Sequence, residues 1–128
     1  METRKKKILI VDDDHFLVNM YSIKFSGSGF EVHTSLDGQD TLNKLRDGLV
    51  PDVVMLDMIM PGMDGLELLS QIRKDKLAPQ AKIIILSNQS QESDMERAKE
   101  LGISGYIVKA TTIPSEVVAE VQRVLAGK

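Results

Sequence analysis

The sequence predicts an α/β chain in which five strand–helix units wind around one parallel sheet. Three observations predict it. Short, wholly apolar runs recur at Ile8–Val11, Val53–Leu56 and Ile83–Leu86. Apolar positions at helical spacing fill the intervals. No repeat, linker or low-complexity segment divides the 128 residues, so a single domain over 1–128 is expected.

Each element has its own signal. The three runs are continuous rather than alternating, which suits strands buried on both faces. Tyr106-Ile107-Val108 is a shorter run of the same kind. Phe30-Glu31-Val32-His33 alternates, as a half-exposed edge strand does. In the first helix Phe16, Met20 and Ile23 share a face and are expected to form its buried stripe. Leu42 and Leu45 serve the second helix, and Leu66, Leu69 and Ile72 the third. Met95, Ala98 and Leu101 serve the fourth, and Val117, Val121 and Val124 with Leu125 the fifth. Asp14 reads as the cap of the first helix, and Asp64 with Glu67 as a capping box opening the third. Thr112 reads as the cap of the fifth, with Pro114 in its first turn. Gly27, Gly29, Gly48 and Gly102 follow helical patterns, where left-handed closure is cheap. Right-handed crossovers then give a doubly wound, flavodoxin-like (βα)5 sheet in the order 2-1-3-4-5, its second strand at an edge.

Composition excludes several classes. Sixteen basic and 19 acidic residues give a net charge of −3. That mild acidity argues against direct nucleic-acid binding, and the Lys5-Lys6-Lys7 run reads as a solvated chain end. Without cysteine there is no disulfide framework and no thiolate metal site. No apolar stretch is long enough to span a bilayer, so no membrane partner and a cytoplasmic location are expected.

The chemistry lies just past the ends of the buried strands. Asp12, Asp13 and Asp14 come after the first, Asp57 after the third, Ser87 after the fourth and Lys109 after the fifth. In an open parallel sheet these ends share one edge, where ligands bind. Asp12, Asp13 and Asp57 against Lys109 leave a net negative cleft that repels itself. A hard divalent cation such as Mg²⁺ suits those oxygens, and Asp57 would then be an ionised nucleophile for a phosphoryl group. Ser87 and Lys109 would bind the phosphoryl oxygens. His15 and His33 have no acid or histidine partner at ligand spacing and read as structural or exposed. Met55, Met58, Met60 and Met63 read as gap-fillers around a strand and its loop.

These residues resemble the receiver domains of bacterial response regulators. The carriers are Ile10-Val11-Asp12-Asp13, the stretch from Pro51 through Asp57 to Pro61-Gly62-Met63-Asp64-Gly65, Leu86-Ser87, and Tyr106-Ile107-Val108-Lys109. The resemblance implies that Asp57 is the phosphoacceptor and that Asp12 and Asp13 are metal-side acids. It also implies that Ile59 gives its backbone carbonyl to Mg²⁺, and that Tyr106 is the aromatic coupled to Ser87. The implied donor is a histidine kinase or phosphotransfer protein. The implied output is a downstream protein target met through the fourth helix, fifth strand and fifth helix. Such a domain is a two-component phosphorelay switch, not an enzyme beyond its own phosphorylation and dephosphorylation. Two positions depart from the family's pattern. Asn88 follows Ser87 where a small residue is usual, and Ala110 follows Lys109 where proline is usual. A cis bond before alanine costs roughly 2.5–4 kcal/mol, so a trans Lys109–Ala110 bond is expected.

Rival readings start from other residues. Asp12 and Asp14 form an Asp-x-Asp that resembles the motif of Asp-nucleophile phosphohydrolases. A nucleotide-binding module lacks its glycine-rich loop here. A phosphorylation-independent interaction domain would have no use for the acid set.

Overall fold

The computed structural model describes residues 5–87, 92–109 and 112–127, with the side chains of 92–94 outside that description. The strands are β1 (Lys7–Val11), β2 (Glu31–Ser35), β3 (Val53–Asp57), β4 (Lys82–Ser87) and β5 (Gly105–Val108). The helices are α1 (His15–Gly27), α2 (Gly38–Arg46), α3 (Gly65–Lys74), α4 (Glu92–Glu100) and α5 (Pro114–Leu125). All strand pairings are parallel, in the order β2-β1-β3-β4-β5. This is the predicted sheet. No helix among the described residues is long and apolar enough to cross a membrane.

Strand alternation explains why the runs are continuous. Leu9, Val11, Val54, Leu56, Ile83 and Ile85 face one way, against Leu42, Leu45, Leu66, Leu69, Ile72 and Ala98. Ile8, Ile10, Val53, Met55, Ile84 and Leu86 face the other, against Val18, Tyr21, Phe25, Val117, Val121 and Val124. Every strand position must be apolar when helices cover both faces. The edge strand β2 is only half-buried, which is why its sequence alternates.

Two of the three expected caps form, and one does not. Asp14 accepts from the Phe16 and Leu17 amides at 2.9 and 3.2 Å. Asp64 and Glu67 form the full capping box. Thr112 is not the cap of α5. Its hydroxyl donates backward to the Val108 carbonyl, at 2.8 Å. Ile113 holds the cap position and donates its amide to the Glu116 carboxylate at 2.9 Å. Pro114 occupies the first turn as expected, since its missing N–H is not needed there.

The first helix buries a different face from the expected one. Phe16 and Ile23 are 75 % and 67 % exposed, and Met20 is half-buried. The buried stripe is Val18, Tyr21 and Phe25. Apolar residues surround α1, so two stripes fit the helical period equally well and only packing against β1 and α5 chooses between them. In α4 the expected stripe is weakly sunk: Ala98 is fully buried, while Met95 and Leu101 are half-buried. Asn88 and the Lys109–Ala110 bond lie outside the described residues.

One close approach fixes the geometry around β3. The Gly65 amide donates to the Met58 carbonyl at 2.8 Å, seating the start of α3 on the chain just after Asp57. A Cβ on Gly65 would lie 2.3 Å from the Asp57 carbonyl oxygen. Gly65→Ala should therefore force α3 away from β3 and cost about 1–3 kcal/mol, as overpacking does. Urea melts should show the loss, and two-dimensional NMR should place the largest shifts at Asp57 and Met58. A variant as stable as the parent would mean the helix slides without strain.

Candidate functional site

Parallel pairing brings the strand ends to one edge. Asp12 follows β1, Asp57 ends β3, Ser87 ends β4 and Lys109 follows β5. The side chains of Asp12 and Asp57 are 2 % and 8 % exposed, while Asp13 lies open to solvent. Lys109 Nζ donates to Asp12 Oδ2 at 2.8 Å and to Asp57 Oδ1 at 3.1 Å. The other oxygen of Asp12 accepts the Asp14 amide at 2.9 Å. One oxygen from each of Asp12, Asp13 and Asp57 lies within 4.8 Å of the others.

One ammonium is thus shared by two buried carboxylates. Burial pushes the Asp57 carboxyl up, and the negative charge of Asp12 adds to it; Lys109 opposes both and does not win. The result is about 6, against an ordinary 3.8. Burial works against the Lys109 charge. Its hydrogen bond to Asp12 and the charges of both carboxylates outweigh burial and raise its pKa. Two negative charges for one positive contribute to both shifts, on top of burial at Asp57 and against it at Lys109.

The donor set fits a divalent cation. Three carboxylate oxygens converge, all hard ligands, and two come from buried residues whose repulsion Lys109 leaves unbalanced. Asp14 does not join them, because its side chain is spent on the cap of α1.

Ser87 is buried at the end of β4 and pairs in register with Val108. Tyr106 pairs with Ile85, so alternation puts Ser87 and Tyr106 on the same face of the sheet. Tyr106 is half-buried and packs against the cluster on that face. Ile59 stands two residues past Asp57, its side chain 71 % exposed. His15 is exposed. His33 does have an acid partner, Glu31 at 2.7 Å, two positions earlier on the same strand face. Met55, Met58 and Met60 are buried core, and Met63 fills against Gly38.

Sequence reasoning missed two residues around the site. Gly65 sets how closely α3 approaches Asp57. Tyr21 of α1 is 3 % exposed and within electrostatic reach of the site. Burial pushes its hydroxyl up, the Lys109 charge works against that, and the Asp12 charge adds to it. The signal for Tyr21 lies in the spacing of Val18, Tyr21 and Phe25.

The family model for the response regulator receiver domain matches residues 8–122. The chain belongs to that family. This receiver domain is 35 % identical over 122 residues to the DNA-binding response regulator MtrA of Mycolicibacterium smegmatis, covering 95 % of this chain and 51 % of that protein. It is 36 % identical over 120 residues to the alkaline phosphatase synthesis transcriptional regulatory protein PhoP of Bacillus subtilis, covering 94 % and 48 %. The chain spans about half the length of these curated relatives. Among solved structures it resembles the chemotaxis protein CheY4 of Vibrio cholerae, with a TM-score of 0.87 at 29 % identity, covering 94 % of this chain and 99 % of that one.

These relatives correct the expected partners. Mild acidity argued against direct nucleic-acid binding and left a protein target as the output. MtrA is by name a DNA-binding response regulator. A charge balance over 128 residues bears on those residues and not on what a regulator of this family meets, so the exclusion does not stand.

The raised carboxyl has a thermodynamic consequence. The folded state holds the Asp57 proton more tightly than the unfolded chain does. Stability therefore falls as pH rises from about 4 to 6, and the full deficit is present above the folded pKa. It is on the order of 3 kcal/mol. Without divalent metal, Asp57→Asn should be more stable than the parent at pH 7.5, and the gap should close toward pH 4.5. Urea melts at both pH values in chelator check this. A gap that stays constant with pH would mean Asp57 ionises normally in the fold.

Proposed function

We propose that this receiver domain is a phosphorylation-activated switch of a two-component phosphorelay, with Asp57 as the acceptor. One observation carries the reading: Lys109 clamps Asp12 and Asp57 at the sheet edge, beside a third acid at metal-ligand spacing. Asp12, Asp13 and Asp57 would hold Mg²⁺, with the Ile59 carbonyl as a further ligand by family resemblance. When bound, the ion supplies the positive charge that keeps Asp57 ionised and neutralises phosphoryl oxygens.

The chain's own residues do the rest. An oxygen of ionised Asp57 forms the new O–P bond as the bond to the donor breaks, and the donor group departs with that electron pair, an imidazole leaving as the neutral ring when its other nitrogen carries a proton. A histidine kinase or phosphotransfer protein is the proposed donor. Lys109 exchanges part of its bonding from Asp57 to the phosphoryl group, while Asp12 keeps the ammonium in place. The Ser87 hydroxyl turns to a phosphoryl oxygen, and Tyr106, on the same sheet face, turns into the space released. The face formed by α4, β5 and α5 is remodelled as a shift between two populated states. Catalysis is confined to the domain's own phosphorylation and dephosphorylation. The setting proposed is the cytoplasm, and residues 1–128 form one unit. The phosphohydrolase alternative needs Asp12 and Asp14 together, and the commitment of Asp14 to the α1 cap counts against it.

Acetyl phosphate with Mg²⁺ should place one base-labile phosphoryl group on Asp57, found by mass spectrometry after borohydride trapping. Chelation or Asp57→Asn should abolish it. Label on Asp12 would favour the hydrolase, and undiminished labelling of the Asn variant would remove Asp57 from the mechanism.

Ser87→Ala should still accept the phosphoryl group but transmit little of its effect. NMR of the phosphorylated variant should show the Asp57 loop shifted and Tyr106 nearly unmoved. A full Tyr106 response without the hydroxyl would break the proposed link between them.

A further inference from the structure

The end of α4 is held by a side chain from another helix. Arg73, in the last turn of α3, donates Nε to the Leu101 carbonyl and Nη2 to the Gly102 carbonyl, each at 2.9 Å. These carbonyls lie just beyond α4, where a helix leaves its acceptors unsatisfied and carries partial negative charge. Gly102 adopts φ +84°, a backbone conformation that favours glycine, and a Cβ there would sit 3.5 Å from Nη2 of the guanidinium. A planar fork with parallel donors matches such a pair, and a lysine ammonium does not.

From Glu96 to Glu100 only Ala98 is buried, and Glu96, Arg97, Lys99 and Glu100 are exposed. The opposite end of α4 begins shortly after Ser87, the hydroxyl on which the proposed switch turns. The two ends are therefore unequal: one follows the switch residue, the other is tied to α3.

We propose that Arg73 is a positioning residue of the switch, a pivot that pins the C-terminal end of α4. It converts displacement begun at Ser87 into a swing of the helix and of the β5 approach that follows Gly102. The proposal rests on the phosphorylation switch described above. Arg73 touches none of the reacting groups. Its loss leaves the acceptor chemistry in place and uncouples the chemistry from the α4-β5-α5 face.

The test uses the whole chain, with Arg73→Gln and Arg73→Lys beside the parent. In the unphosphorylated state, hydrogen exchange at the amides of Ala98 to Gly102 should quicken about tenfold in Arg73→Gln, with a smaller change in Arg73→Lys. Acetyl phosphate labelling of Asp57 should stay within about twofold of the parent in both. The phosphorylation-induced NMR shift at Tyr106 should fall to less than about half in Arg73→Gln and recover partly in Arg73→Lys. Unchanged exchange in α4, or a full Tyr106 response in Arg73→Gln, overturns the pivot. If the glutamine variant does not fold, the lysine variant alone decides by the same two readouts. Failure of the parent itself to label would sink the switch reading, while the exchange measurement would still judge the clasp.

Discussion

The sharing of one ammonium between two buried carboxylates governs this molecule's edge. Asp12 and Asp57 stand on neighbouring strands with too little water to screen them. Lys109 reaches both, at 2.8 and 3.1 Å, and leaves a residual negative charge rather than a balanced pair. Burial, with the Asp12 charge added to it, raises the Asp57 pKa to about 6 despite Lys109, and the residual negative charge makes a cation welcome. A neutral cluster would fold more easily. The structure keeps a local electrostatic imbalance at the sheet edge, where open parallel sheets bind ligands.

Keeping such a site requires a rigid frame. The sheet supplies it by burying both faces, so that strand ends cannot drift relative to one another. The glycine contact between α3 and the Asp57 carbonyl supplies the rest. It lets a helix start directly against the chain leaving β3. The loop carrying Met58 and Met60 is thereby tucked into the core, although the site beside it is open to solvent at Asp13. β3 is wholly buried, whereas among the described side chains of α4 only Ala98 is.

Much of this is legible in the sequence because it depends on periodicity and strand order. Continuous apolar runs announce two-sided burial, and strand ends in a parallel sheet bring Asp12, Asp57, Ser87 and Lys109 together whatever the side-chain details. The face of α1 is not legible. Its apolar residues encircle the helix, and the choice of Val18, Tyr21 and Phe25 over Phe16, Met20 and Ile23 is made by tertiary packing alone. The cap of α5 escapes for a related reason. Thr112 is chemically suited to capping, but its hydroxyl finds the Val108 carbonyl first, and a carboxylate from inside the helix serves the open amide instead. The Arg73 clasp joins residues 28 and 29 positions apart, a separation that no local pattern reveals.

The span of the central contact has a consequence for how the molecule comes into being. Lys109 lies 97 residues after Asp12 and 52 after Asp57. During synthesis the two acids emerge long before the base that reconciles them. A partly made chain that paired β1 with β3 would hold two desolvated carboxylates side by side with no ammonium between them. Docking of β5 then does more than add an outer strand: it delivers the counterion. Electrostatics thus works as a completeness check. The sheet's middle is penalised until its far edge arrives, which couples early and late segments into one cooperative event.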